Sequence, residues 1–379
     1  MDIAPEDALR LHVVLANFPQ AIRIDEAKLT VHVLTSAGET QIKLNPTERV
    51  DRYLRRVREL ISGQVLGSPG GYPLFLQRWT RMGQTRELHL EQLLLLGEPE
   101  AIVAVVNAAT LTDELARRAW WAFPNSENAR RMLECESVIR GFMGMVLVEY
   151  LLENLPFEQD PMEITATIRI ILKTNLLDKQ QLARLWSLAQ RNSAYLLGFI
   201  QAIPHSLPEI VAARPDCDEL TPLLIPLVAE NNPYAQLLWR IISASGQNWL
   251  LAAEKVLRRA PNQEIVNAWL ETVADYFALV RPNLPEAEIE CLLAESQALC
   301  TETDFLDATP AGLIELRKAA PHLLPELRAL LFFSRLSYAI VRPIFSRTTA
   351  VGALMQRKLE PIIAVISEQI AILRQSSSG

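Results

Sequence analysis

The residues best able to do specific work in this chain are arginines. Between Arg49 and Arg86 there are eight (Arg49, Arg52, Arg55, Arg56, Arg58, Arg78, Arg81 and Arg86) and no lysine, against two acids, Asp51 and Glu59. A guanidinium is a planar fork of donors that grips phosphate or carboxylate at two points, which an ammonium cannot do. Arg49, Arg52 and Arg56 fall opposite an apolar stripe, and Tyr72 and Trp79 lie near the same run in sequence. Such a surface would bind RNA, a nucleotide or an acidic partner. The candidate partner-binding residues are therefore Arg52, Arg55, Arg56, Tyr72, Arg78, Trp79 and Arg81. The competing reading is a solvated face whose charges pair with the acids of the remainder. A second set, Arg328, Arg335 and Arg342, recurs every seven residues and would track along one helix face. The formal charge of the whole chain is −7, so bulk binding of polyanions is excluded.

Other chemistries find little footing. Cys135, Cys217, Cys291 and Cys300 lie far apart with no CxxC pair, as expected of reduced thiols mostly in core positions. Asp216 and Asp218 flank Cys217 and would disfavour its thiolate. The five histidines are scattered without an HExxH or a zinc-type spacing, so no structural metal is expected. The glycine-rich stretch Gly67 to Gly71 lacks the Lys-Ser/Thr pair of a phosphate loop and reads as a turn between helices. No GxSxG elbow occurs. The expectation is a protein that is more a binder than an enzyme, with no cofactor.

The elements that must position these residues are mostly helical. Glycine is scarce, 14 in 379 residues, and 23 prolines punctuate a chain that is 50% hydrophobic and 21% charged. That composition gives ample material for a core. Pro5 to Asn17 reads as a short helix with proline at its first position. Three β-like runs follow, Ala21 to Ile24, Leu29 to Leu34 and Thr40 to Leu44, the last two flanking a turn at Ser36 to Glu39. Val50, Tyr53, Leu54, Val57, Leu60 and Ile61 then obey helical spacing. From about Leu74 the helical pattern continues almost to the end. Capping-box spacings occur at Asp178/Gln181, Ser206/Glu209 and Asn283/Glu286, and Thr309-Pro310 marks another helix start.

A weak repeat places an asparagine seven residues before a bulky apolar residue: Asn125/Met132, Asn192/Phe199, Asn232/Trp239 and Asn262/Trp269. The expected physics is an Asn cap on the second helix of a pair, with the bulky residue anchoring it to the first. Most of the seven tryptophans have core spacing, but adjacent Trp120 and Trp121 cannot share one helix face. Leu327 to Val341 reads as one buried or partner-covered helix ending near Pro343. The expected fold is mainly α, an irregular α-solenoid of HEAT-like helix pairs with a small N-terminal antiparallel sheet. The expected organisation is sheet plus helix over 1–64 and a helical array over 65–379, with subdivisions near 155–165 and 280–310. No run of about 18 apolar residues suggests membrane insertion, and the acidic N-terminus argues against a targeting peptide.

Three stretches carry a family resemblance: Leu15 to Ala27 (LANFPQAIRIDEA), Val65 to Gln84 (VLGSPGGYPLFLQRWTRMGQ) and Leu93 to Pro124, which ends in DELARRAWWAFP. They resemble the DsrS family of sulfur-oxidation accessory proteins, associated with dissimilatory sulfite reductase. The resemblance is strongest over about the first 200 residues. It implies a cytoplasmic, non-catalytic accessory or regulatory protein that binds a protein partner of the sulfur-oxidation machinery. That family has no established catalytic residues to carry over. The scattered cysteines lack the paired arrangement expected of a sulfur relay, which counts against persulfide transfer. Two alternatives stand beside it: an RNA-binding regulator using the arginine surface, and a sulfur-handling enzyme with a single cysteine.

Overall fold

A computed structural model of the chain describes residues 3–67, 70–71, 90–301 and 311–375. Twenty α-helices and one three-stranded antiparallel sheet are present among them, so the chain is mainly helical as expected. The chain divides into two compact units, Met1–Pro156 and Phe157–Gly379.

The first unit opens with α1 (Pro5–Ala16), where proline at the first position sacrifices only an N–H that would have no helical partner. Strands β1 (Ala21–Asp25), β2 (Thr30–Thr35) and β3 (Gly38–Lys43) pair in that order. The β2–β3 turn is tighter than the sequence suggests: Thr35 pairs with Gly38, leaving only Ser36 and Ala37 in the loop. Gly38 sits at φ 126°, a conformation that side chains rarely adopt. Helix α2 (Val50–Leu66) packs Tyr53, Leu54, Val57 and Ile61 into one core with Leu11, Ile22, Val31, Val33, Ile42 and Leu44. Gly67 ends it in a left-handed cap.

A carboxylate is buried against this core. Asp7 of α1 is fully buried. It accepts hydrogen bonds from the Tyr53 hydroxyl at 2.5 Å and the Asn45 backbone N–H at 2.7 Å. Burial, and then the bond to Asp7, push the Tyr53 phenol up to about 12. The pair ties α1 to α2 with both partners satisfied, the condition under which a buried carboxylate is tolerable.

Helices α3 (Leu90–Leu93), α4 (Pro99–Val106), α5 (Asp113–Ala122), α6 (Ser126–Met132), α7 (Glu136–Ile139) and α8 (Phe142–Asn154) complete the unit. The adjacent tryptophans of α5 part company. Trp120 meets Tyr150 of α8 edge to face at 4.6 Å, while Trp121 donates from Nε1 to Glu39 of β3 at 3.1 Å. Gly97, at φ 67°, lies so close to β1 that a β-carbon there would come within 3.0 Å of Ile24.

The second unit contains α9 (Pro161–Thr174), α10 (Lys179–Ala189), α11 (Ser193–Ala202), α12 (Cys217–Ala229), α13 (Pro233–Ile242) and α14 (Ala244–Arg258). It continues through α15 (Gln263–Tyr276), α16 (Ile289–Thr301), α17 (Ala311–Ala319), α18 (Leu324–Ser334), α19 (Arg342–Phe345) and α20 (Gly352–Arg374). Neighbours in sequence pack in pairs, as α10 on α11, α12 on α13 and α14 on α15. Helix α20 returns to lie against α13, α14 and α18, a closure that a one-dimensional stack lacks.

All four repeat asparagines cap helices through their side-chain oxygens: Asn125 on α6, Asn192 on α11, Asn232 on α13 and Asn262 on α15. Met132, Phe199 and Trp269 are fully buried as their anchors, but Trp239 is 45% exposed. The stripe of α13 is made by Leu237, Leu238, Ile241 and Ile242, and Trp239 falls outside its arc.

Two capping boxes fail. Asp178/Gln181 forms a complete box, whereas residues 203–216 contain no helix and α16 begins only at Ile289. Ser206-Leu207-Pro208 and Asn283-Leu284-Pro285 lie in non-helical stretches; a following proline disfavours the helical region but does not forbid it, since Leu324 opens α18 directly before Pro325. Thr309-Pro310 lies outside the described residues. The long helix expected over Leu327 to Val341 stops at Ser334, yet nearly all of this stretch is buried. Arg328, Arg335 and Arg342 therefore do not share one helix face. Arg335 lies past the end of α18, where it pairs with Glu295 at 2.5 Å and donates to the Pro285 carbonyl at 3.0 Å. Arg342 opens α19.

Candidate functional site

The amphipathic register of α2 decides which of its arginines are presented. Because Tyr53, Leu54, Val57 and Ile61 face the sheet, Arg49, Arg52 and Arg55 project outward and are exposed. Arg49 lies 4.0 Å from Asp51, a loose pair at the surface. Arg52 and Arg55 are in no ion pair among the described residues. Two neighbours are committed to the protein itself: Arg56 pairs with Glu48 at 2.8 Å, and Arg58 pairs with Glu26. The run is thus split, and Arg56 is a strut more than a presented charge. Tyr72, Arg78, Trp79, Arg81 and Arg86 lie outside the described residues.

Elsewhere in the first unit, Glu39 of β3 gathers several donors. It meets His32 Nδ1 at 2.7 Å, Trp121 Nε1 at 3.1 Å, and Arg23 and Gln41 at 3.4 Å each. The hydrogen bond to His32, above all, holds the Glu39 carboxyl below its usual range. The Arg23 guanidinium also lies over the Trp121 ring at 5.1 Å. A carboxylate this well supplied is a structural joint between the sheet and α5.

Three of the four thiols are held in their protonated form by their surroundings. All four cysteines are free. Cys300 is buried and its thiol is pushed up to about 11 by desolvation. Burial also raises Cys135, and a hydrogen bond to Glu295 raises exposed Cys291. A raised thiol holds little thiolate at neutral pH, and the thiolate is the nucleophile. Among the described residues, no group of three or more His, Cys, Asp or Glu is arranged to hold a metal ion. No helix there is long and apolar enough to cross a membrane.

The second unit carries a groove that no spacing in the sequence announces. A cavity of about 440 Å³ is walled by Arg169 and Lys173 of α9, Arg240 of α13, His205 after α11, and Glu271 and Tyr276 of α15. Tyr276 stacks on Trp249 with ring centres 3.7 Å apart, and the Arg240 guanidinium lies over the Tyr276 ring at 5.7 Å from its centre. Partial burial, then the charge of Arg240, hold His205 below its ordinary value. A second cavity of about 630 Å³ shares Arg240 and His205 and is walled by exposed Trp239. These residues come from separate helices, and only the misfit of Trp239 to its stripe could have drawn attention to them.

No family model matches the chain, and neither a curated protein nor a solved structure matches it.

Proposed function

We propose that this protein is a non-catalytic accessory or regulatory component of cytoplasmic sulfur oxidation that works by binding a protein partner. The observation that carries the binding reading is the outward face of α2, where Arg49, Arg52 and Arg55 stand exposed on a helix anchored by a full apolar stripe. Guanidinium groups held at helical spacing on a rigid element fit an acidic segment, because each can take a carboxylate in its fork. The sulfur-oxidation setting is supported by the resemblance of Leu15 to Ala27, Val65 to Gln84 and Leu93 to Pro124 to the DsrS family. The raised thiols of Cys135, Cys291 and Cys300 favour a binder over a persulfide carrier.

The test is affinity capture of the tagged chain from its native cells at low salt, read for protein and for RNA. Enrichment of sulfur-oxidation proteins, lost in an Arg52→Ala/Arg55→Ala variant, is the expected result. Recovery of RNA alone, released as salt rises, would transfer the same face to an RNA-binding regulator. Recovery unchanged in the double variant would remove the face from the function.

A further inference from the structure

We propose that the groove of the second unit binds a nucleotide, with its phosphates on Arg240, Arg169 and Lys173 and its base against Trp239. The cations are arranged at a cost. Arg169 and Lys173 are four residues apart on α9, so like charges share one face, an arrangement that weakens a helix. Arg240 adds a third charge from α13, and none of the three is in an ion pair among the described residues. Arg240 is partly buried, and its guanidinium lies over the ring of Tyr276 at 5.7 Å. A half-buried guanidinium without a carboxylate is poised for an anion brought from outside.

Size and lining narrow the ligand. The cationic cavity of about 440 Å³ falls in the range of small-molecule sites, and the adjoining cavity of about 630 Å³ shares Arg240 and His205 with it. The second cavity offers Trp239, 45% exposed, as a flat apolar surface. Stacking on an aromatic face is the usual way to hold a base without reading it. Two acids also line the cationic cavity. They are Glu271 and Asp275, the latter exposed and only loosely paired with Arg281 at 3.6 Å. A carboxylate there would repel inorganic polyphosphate but would accept hydrogen bonds from sugar hydroxyls, as acids do in dinucleotide sites. Phosphate, sugar and flat base together satisfy all three parts of the lining.

Calorimetric titration of the full chain with ADP and GDP, set beside adenosine and inorganic phosphate, decides the matter. The expected result is saturable binding of at least one nucleotide, about tenfold or more tighter than either fragment. Arg240→Gln should weaken it by about tenfold or more, the loss expected for a charge-assisted contact. Trp239→Ala should weaken it by about three- to tenfold, with an unchanged melting profile confirming that the variant folds. An Arg52→Ala/Arg55→Ala chain should bind the nucleotide as the natural one does, which separates this site from the face on α2. No binding of either nucleotide overturns the proposal, and so does phosphate binding as tightly as ADP. Nucleotide affinity unchanged in Arg240→Gln overturns it as well.

Discussion

Two arginines of the second unit show two uses of the same side chain. Arg214 is fully buried and saturated: it donates to Asp216 at 2.6 and 2.9 Å and to Glu326 at 3.0 Å, all three side chains being closed to solvent. Arg240 is half buried, meets an aromatic ring and has no carboxylate in an ion pair among the described residues. The first guanidinium is part of the architecture, since its cost of desolvation is offset only while both acids remain. The second keeps its fork available. The same division runs through the first unit, where Glu39 is saturated by His32 and Trp121 while Arg52 and Arg55 face solvent.

Perturbing the saturated groups should strike stability, and perturbing the available ones should strike binding. Arg214→Met should cost about 3–5 kcal/mol, because Asp216 and Glu326 would stay buried without their counter-charge. Urea unfolding measures it, and a loss under 1 kcal/mol would erase the contrast with Arg240→Gln, which should stay within about 0.5 kcal/mol of the natural chain. Asn232→Ala comes next, at about 1–2 kcal/mol. It removes a cap on α13 whose amide also donates to the Gly312 carbonyl at 2.8 Å and to Glu315 at 3.0 Å. Thermal melting alongside Asn125→Ala would show whether those two extra bonds raise the loss.

Glu39→Gln should cost about 1 kcal/mol at neutral pH. Its sign with pH follows from the depressed carboxyl. The stabilisation is full above the unfolded value of 4.5 and is lost as pH falls through the lower folded value. Melting temperatures from pH 6 down to pH 3 should therefore converge for the natural chain and the variant; parallel curves would contradict the assignment. The smallest stability effect belongs to Arg52→Ala/Arg55→Ala, within about 0.5 kcal/mol. A larger loss by urea unfolding would show that this face belongs to the fold.

Local patterns were legible where one element decides the outcome. The stripe of α2, the proline start of α1, and the asparagine caps of α6, α11, α13 and α15 depend on a few adjacent residues, and these could be read directly. The failures at Ser206 and Asn283 do not follow from the proline two positions on, because Leu324 opens α18 with Pro325 directly after it. Contacts between distant residues were not legible. Nothing near Asp7 signals Tyr53, 46 residues away, and nothing near Arg214 signals Glu326, 112 residues away. The arginine run was visible, but its division into struts and presented charges required Glu26 and Glu48 in place. The groove of Arg169, Lys173 and Arg240 was invisible for the same reason, since three elements must meet before it exists.

The separation between Arg214 and Glu326 also sets an order of events in the cell. Synthesis at about 5–20 residues per second places Glu326 roughly 6–22 s behind Arg214. During that interval Arg214 has only Asp216 beside it, and the half-made unit cannot bury the guanidinium at a favourable free energy. The contact that closes the buried triad therefore forms only after α18 has been made. A chain stalled before Glu326 should hold this region less stably than the full chain, which protease sensitivity would measure.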